Sequence, residues 1–546
     1  MKRRQFIKLA STASAIGLMP FELKAMLKTA AIADCGDLSN RKLVLINLAG
    51  GNDGLNTLIP INGYDMYANL RPTLKIPNSG TNKFLNLDST LPENQQLGLH
   101  PALSGFKSLY DNDQLRIIQS VGYPSQNKSH FASRDLYSTG NDGNSWDNGS
   151  DSGWIGRFLE KYYSGELEES YPLGVQIGSN KTELGFHGEE EHGLAINISG
   201  QDPSGFYTEL NGLGGLPPTT IPSSDFGTEL QYIINVNTLS NKYSQAISNA
   251  FNNGQNSSTY PDTDLSNQLK TVARLISGGL KSKVYMVRIG GFDTHDNQNQ
   301  NDSDITGEHY TLLQTVSEAV SAFMNDLTSQ TLANDVVGLT FSEFGRKAKE
   351  NGNLGTDHGE IAPMFVFGNP VNGGVSGINV DLTEATSDNN YQIKTVQYDY
   401  RQTLGTLLQD FLGASNLVID GTFFNNSNSQ SFTDSKITEL LKGSYSVAEN
   451  CLLDTLSTSE NLNTNDPNKW FVYPNPFTDI LYLNSLDEHS KINYQLYDNR
   501  GQVIMQGSKQ PYNNTFKINV PSLASGIYFL KVISSEKAEI HKVFRL

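Results

Sequence analysis

Cysteine is nearly absent from this chain: Cys35 and Cys451 are the two it has in 546 residues. That excludes a disulfide framework and a cysteine-based zinc cluster, and leaves open whether the two pair. Long hydrophobic runs are missing too, and the apolar stretch at 9–21 is too short to cross a bilayer. Basic residues are in deficit, with 40 Lys and Arg against 57 Asp and Glu and a formal net charge of −17. A phosphate-backbone binder needs Lys and Arg to displace counterions, so nucleic acid is not an expected partner. What remains fits a soluble, loop-rich globular protein: a hydrophobic fraction of 37%, with 49 glycines, and a mean hydropathy of −0.40. The length leaves room for two domains and a targeting segment.

The N-terminus, Met1-Lys2-Arg3-Arg4-Gln5-Phe6-Ile7-Lys8, is a basic start with paired arginines ahead of a weakly apolar stretch. It reads as an export signal over 1–35, and 1–21 resembles a twin-arginine signal, which makes the twin-arginine translocase an expected partner. Beyond it, apolar runs at 42–48, 115–122, 283–289, 336–341 and 364–367 read as buried strands. Polar, glycine-flanked segments adjoin them. Gly50-Gly51-Asn52-Asp53 follows the first strand, Ser129-His130 follows the second, and Gly290-Gly291-Phe292-Asp293-Thr294-His295 follows the third. Ser342-Glu343-Phe344-Gly345-Arg346 follows the fourth, and Thr356-Asp357-His358-Gly359 precedes the fifth.

In an open α/β sheet, ligands gather at the carboxyl ends of the strands. Independent turn chemistry supplies Gly and Asp often, but seldom a histidine at two such loops. Carboxylate and imidazole together are a usual ligand mixture for Zn or Mn, whereas all-oxygen sets suit Ca or Mg. A divalent metal is therefore expected, its identity among Zn, Ca, Mg and Mn open. Ser129 stands where a helix begins, which suits a plain N-cap and equally a hydroxyl nucleophile stabilised by free amides. Arg134 and Arg346 are candidates to hold an anion. His187 and His192 flank Glu189-Glu190-Glu191 and read as solvated.

Seven ordered blocks, AGGNDGLN, SHF, GWIGRFL, GGFDTHDNQ, FSEFGR, GTDHG and YDYRQTLGTLLQDFLG, spread over 49–413, together resemble the bacterial family catalogued as domain of unknown function 1501. The resemblance implies an alkaline phosphatase/sulfatase-like α/β/α sandwich around a mostly parallel sheet, over about 40–453. It also implies roles: Asp53, Asp357 and His358 around one metal, Asp293 and His295 around a second, Ser129 as nucleophile and His295 as a further catalytic group; Arg346 joins the catalytic candidates on its charge alone. Two-metal members use another histidine after the Asp-His pair, but the next here is His489. A one-metal site with His295 as general acid or orienting group is thus an equal expectation. The Cys/Ser-x-Pro-Ser-Arg motif of sulfatases is missing around Ser129, so standard sulfatase chemistry is not implied.

From 454 to 469 the chain turns Ser/Thr/Asn-rich and reads as a linker. After it, 470–546 carries short alternating runs separated by turns, the pattern of a small antiparallel β-sandwich. Its YPNPF opening, LASGIYFLKV and basic KVFR ending resemble the sorting domain read by the type IX secretion machinery, which places the protein at the cell surface or in the medium. Two functions are expected in competition. One is a metal-dependent hydrolase of phosphate or sulfate esters; the other is a non-catalytic surface protein that binds polysaccharide or another extracellular ligand.

Overall fold

The computed structural model describes residues 37–143, 152–167, 169–179, 184–189, 194–198, 243–301, 305–423, 436–448 and 451–452, and in the C-terminal part 470–473, 477, 480–485, 491–498, 502–510, 515–521, 523–524, 526–533 and 538–545. The expected export signal at 1–35, the linker at 454–469 and His192 lie outside these. The chain divides into two compact units, Met1–Leu452 and Leu453–Leu546.

The first unit is built on a 9-stranded sheet. In chain order its strands are β1 (Lys42–Leu48), β2 (Leu115–Gly122), β3 (Gly174–Gln176), β4 (Ala195–Asn197), β5 (Val284–Ile289), β6 (Val336–Phe341), β7 (Ala362–Phe367), β8 (Gly374–Ser376) and β9 (Tyr398–Asp399). Across the sheet they run β8-β2-β7-β6-β1-β5-β3-β4, with β9 beside β2. All pair in parallel except β7, which is antiparallel to both of its neighbours.

Alternation along the central strands sends side chains to two cores, because successive Cβ atoms leave a strand on opposite faces. Val44 and Ile46 of β1 meet one face with Val287, and Leu43 and Leu45 meet the other with Met286 and Leu339. The first face is covered by helices α1 (Ser104–Asp111), α4 (Asp264–Ser277) and α5 (Glu308–Ser329), through side chains such as Phe106, Leu269 and Val320. The second is covered by α2 (His130–Thr139), α3 (Trp154–Tyr162) and α6 (Tyr400–Thr406), through Leu136, Ile155 and Leu404. This is a three-layer α/β/α arrangement on a mostly parallel sheet, as the resemblance implied. Strands buried on both faces explain why the sequence shows continuous apolar runs there and not alternation.

Cys451, at the end of this unit, lies in a disulfide. The sequence holds one other cysteine, Cys35, which is outside the described residues. A disulfide suits an oxidising, extracytoplasmic setting.

The second unit contains two antiparallel sheets. One joins β10 (Trp470–Tyr473), β11 (Ile480–Ser485) and β14 (Thr515–Asn519); the other joins β12 (Ile492–Tyr497), β13 (Val503–Lys509), β15 (Gly526–Ile533) and β16 (Ala538–Arg545). Leu481, Leu483, Phe516 and Ile518 of the first share one core with Leu496, Leu530, Val532 and Val543 of the second. The basic ending, Lys542-Val543-Phe544-Arg545, lies in strand β16, which pairs with β15 along its whole length. No helix among the described residues is long and apolar enough to cross a membrane.

Candidate metal centre

The site forms at the rim where β1, β5 and β6 end and antiparallel β7 begins. Gly50 and Gly51 after β1 have φ of 125° and 83°, a region open to glycine because it lacks a Cβ. A Cβ on Gly50 would collide with the backbone of Phe292 and Asp293. The close approach brings the β1 and β5 loops together. Ser342 at the end of β6 then ties the β1 turn down, its hydroxyl donating to Leu48 O at 2.7 Å and accepting from Asn52 N at 2.9 Å.

Because β7 returns antiparallel beside β6, segment 342–361 leaves and re-enters the sheet at the same rim. Within it Lys347 N donates to Asp357 O (2.9 Å) and Gly359 N to Gly345 O (2.8 Å), so Arg346 and His358 lie opposite each other. Arg346 is the clamp of the site. Its guanidinium donates to the carbonyls of Gly50, Gly51, Phe292 and Thr356, and at 2.6 Å to Asp293 Oδ1.

Asp293 is the point on which the histidines converge. His358 Nε2 is 3.0 Å and His295 Nε2 3.2 Å from Asp293 Oδ1, and His130 Nε2 is 3.2 Å from Oδ2. His130, Asp293 and His358 offer ligand atoms that all lie within 4.8 Å of one another, and His295 Nε2 is 2.9 Å from His358 Nε2.

The other nitrogen of each ring is engaged by a group that can only accept. His130 Nδ1 faces Glu343 Oε1 at 3.0 Å, His358 Nδ1 faces Lys128 O at 2.8 Å, and His295 Nδ1 faces Asp357 Oδ1 at 3.4 Å. With the proton of each neutral ring drawn to Nδ1, every Nε2 turns a lone pair toward a carboxylate or another lone pair. His130 Nε2 is in fact buried without a hydrogen-bond partner. Such an arrangement of acceptors is favourable around a cation, and a histidine oriented through its second nitrogen is the usual support of a metal ligand. Ligands about 2.0–2.2 Å from a tetrahedral ion stand roughly 3.3–3.6 Å apart. Four of the separations here, 2.9–3.2 Å, fall a few tenths of an ångström short of that range. The residues fit a metal ion.

The charge environment agrees. Burial would raise the Asp293 carboxyl, but the Arg346 guanidinium hydrogen-bonded to it holds it at about 2. The bond to Glu343 raises His130 above the ordinary imidazole value, against its burial. Burial lowers His358 despite its bond to the Lys128 carbonyl. Asp357, which burial would raise, is kept low by Lys347 and Asn351.

Of the residues the sequence nominated, Asp293, His295, His358, Asp357 and Arg346 come together. Asp53 does not join them. It is fully buried, and its Oδ2 accepts from Arg71 Nη1 and Gln298 Nε2, each at 2.5 Å. This engagement, absent from the expected ligand set, comes from an arginine in the loop after a short helix, Tyr64–Leu70. Ser129 is exposed and occupies the N-cap of α2 without a side-chain capping bond. The cluster uses its two neighbours, the Lys128 carbonyl and the His130 ring. Arg346 is buried and committed to carbonyls, so it positions the loops and Asp293. His130 and Glu343 were not singled out from the sequence, although both lie inside the blocks SHF and FSEFGR. Helix entry after β2 was the one signal for His130.

Residues 240–416 match the family described as protein of unknown function DUF1501. Residues 471–544 match the secretion system C-terminal sorting domain. That tail implies the type IX secretion machinery as partner and delivery to the cell surface or extracellular space. None of the curated proteins matches the chain. Among solved structures, a protein in the alkaline phosphatase superfamily from Vibrio parahaemolyticus is 10% identical, with 92% of this chain and 79% of that one covered at a TM-score of 0.31. The PsFucS1 sulfatase from Pseudoalteromonas sp. is 11% identical, with 91% and 87% covered at a TM-score of 0.31. A DUF3244 family protein with an immunoglobulin-like β-sandwich from Bacteroides vulgatus is 12% identical over 16% of this chain and 93% of its own, at a TM-score of 0.13.

Proposed function

We propose that this exported protein is a metal-dependent hydrolase of phosphate or sulfate esters. The observation that carries the reading is the convergence of three imidazole Nε2 atoms on Asp293, each ring held from behind by an acceptor. His130, His295, His358 and Asp293 would hold the ion, and their nitrogen-rich donor set favours zinc over calcium, magnesium or manganese. When bound, a divalent ion supplies Lewis-acid polarisation of an ester oxygen.

The chain's own groups supply the rest. Arg346 fixes Asp293 and the glycine turn, Glu343 and the Lys128 carbonyl fix two rings, and Asp357 orients His295. Ser129, exposed between Lys128 and His130, is the nucleophile we assign, its hydroxyl at the start of α2 where backbone amides favour negative charge. Arg134, one turn further along that helix, is suited to hold the anionic ester group.

Elemental analysis of the purified full-length protein, with turnover of 4-nitrophenyl phosphate and 4-nitrophenyl sulfate before and after chelation, tests this. The expected result is one equivalent of metal, activity lost on chelation, and both lost in His358→Ala. A wild type that takes up no zinc or manganese sinks the proposal. Metal uptake without turnover of either ester moves the site to the competing reading, a surface binding protein.

A further inference from the structure

Beside the metal centre, between β1, β5, β6 and β7 and helices α2 and α3, lies a cavity of about 350 Å³. Its floor is the sheet itself, Leu45, Met286, Leu339 and Met364, and Tyr137 and Trp154 form part of its wall. An apolar cavity of about 150 Å³ already takes benzene, so this one has room for a bicyclic aromatic group or a short acyl chain. His130 and Asp293 line it as well, so the cavity opens directly onto the candidate ligands.

Polar groups occur at a few points of the lining. Asn47, 4% exposed, has its side-chain oxygen buried without a hydrogen-bond partner. Arg134 and Arg288 also line the cavity, and neither makes an ion pair with a described residue. Phe131 lines it too and is 73% exposed. A large ring left in water next to an apolar cavity gains burial when an apolar ligand covers it.

We infer that this cavity is the leaving-group subsite of an anionic amphiphile: an aryl or acyl-chain phosphate or sulfate monoester, its apolar part against the sheet and its anionic head at His130, Arg134 and Arg288. The inference rests on the hydrolase reading for the word leaving-group, though binding itself needs no turnover. A sulfated or phosphorylated sugar is the wrong guest. Its hydroxyls would be buried against Leu, Met and Trp side chains without hydrogen bonds, an arrangement that costs free energy for each hydroxyl.

The test is a calorimetric titration of the full-length, zinc-equilibrated protein with 2-naphthyl phosphate and 2-naphthyl sulfate, against inorganic phosphate, inorganic sulfate and glucose 6-sulfate. The expected result is that a naphthyl ester binds at least tenfold more tightly than the matching inorganic anion and than the sugar sulfate. Ser138→Trp, at a half-buried position of α2 lining the cavity, should fill the space and bring that ratio near one while inorganic anion binding is kept. Should the variant misfold, the wild-type ratio still decides. Equal affinity for the naphthyl ester and its inorganic anion, or preference for the sugar sulfate, overturns the inference. Tight naphthyl binding with no hydrolysis of any ester leaves the subsite standing and removes the hydrolase reading instead.

Discussion

Glu343 illustrates how much of this site depends on residues that would never touch a substrate. Its Oε1 serves both His130 Nδ1 and the amide of Gly50, at 3.0 and 2.8 Å, so one carboxylate sets a ring's tautomer and a glycine turn together. Supporting groups of this kind typically account for about 10–100-fold in metal affinity. Glu343→Gln should therefore weaken zinc binding by that order, read by competition with a chromophoric chelator, and leave the far-ultraviolet circular dichroism unchanged. An unaltered zinc affinity would show that His130 is not a ligand.

Behind the rim a second polar group is buried with no route to solvent. His309 Nε2 meets Asn52 Oδ1 at 3.0 Å, and His100 packs edge-on against it at 5.9 Å. Burial lowers His309 to about 4 and His100 well below its usual value. The folded protein therefore takes up these protons later than the unfolded chain, whose histidines titrate near 6.5. Stability contributed by the neutral rings is complete above about pH 6.5 and is lost as pH falls toward 4, by roughly 1.4 kcal/mol per pH unit for each ring. Urea unfolding across pH 7 to 4 should show this slope, and His309→Gln should remove one ring's share. Burial pushes Asp53 upward, but Arg71 outweighs it and holds the carboxyl below its usual value. The stability contributed by that carboxylate is present above about pH 4 and is lost only below it, so it does not blur the histidine window.

At the scale of elements, the turn after β1 is the most exacting piece of backbone. Gly50→Ala places a Cβ against the Asp293 amide at a φ of 125°, so the β5 loop must move. Metal binding should fall by more than tenfold while most of the thermal stability is retained; a fully metal-competent Gly50→Ala would mean that the turn does not set the position of Asp293. Glycine and aspartate in these loops were legible from the sequence because strand ends marked by Gly are local signals. The Asp293-x-His295 and Asp357-His358 pairs were found for the same reason. Asp53 was misplaced because its partner Arg71 belongs to a different local pattern, and nothing in either segment announces their 2.5 Å contact. His130 was passed over because Ser129 beside it fits the familiar role of a helix cap, and a histidine in a first helical turn carries no periodicity of its own. The cavity was invisible for a related reason. Leu45, Met286, Leu339 and Met364 read as ordinary core, and only the packing of α2 and α3 shows that space is left above them.

For the whole molecule, the division at Leu452 and Leu453 and the separate core of the second unit predict independent folding. A chain ending at Leu452 should melt within a few degrees of the main transition of the full-length protein and keep its metal, while losing export to the cell surface. Loss of solubility on truncation, or unchanged surface delivery, would contradict one half of that statement each. The five long strands of the first unit's sheet could be located from the sequence, since each is a local apolar run; β3, β4, β8 and β9, two or three residues each, could not. The order of the sheet could not, because Lys42 of β1 pairs with Val336 of β6 and Leu43 with Val284 of β5, contacts that no local signal encodes.

The reversed direction of β7 has a kinetic consequence. Since β6 and β7 are neighbours joined by a segment that returns to its own rim, they can close as a hairpin early, with Glu343, Asp357 and His358 already in approximate place. Asp293 and His130 arrive only when β5 and β2 dock from distant parts of the chain, and such long-range pairings are the slow steps of folding. Until β5 docks, the rim would thus carry no more than two of the four candidate ligating residues, His358 and His130, because Asp293 and His295 arrive together on the loop after β5. Tight metal capture is then the last event of maturation, and metal uptake in a refolding experiment becomes a clock for closure of the sheet.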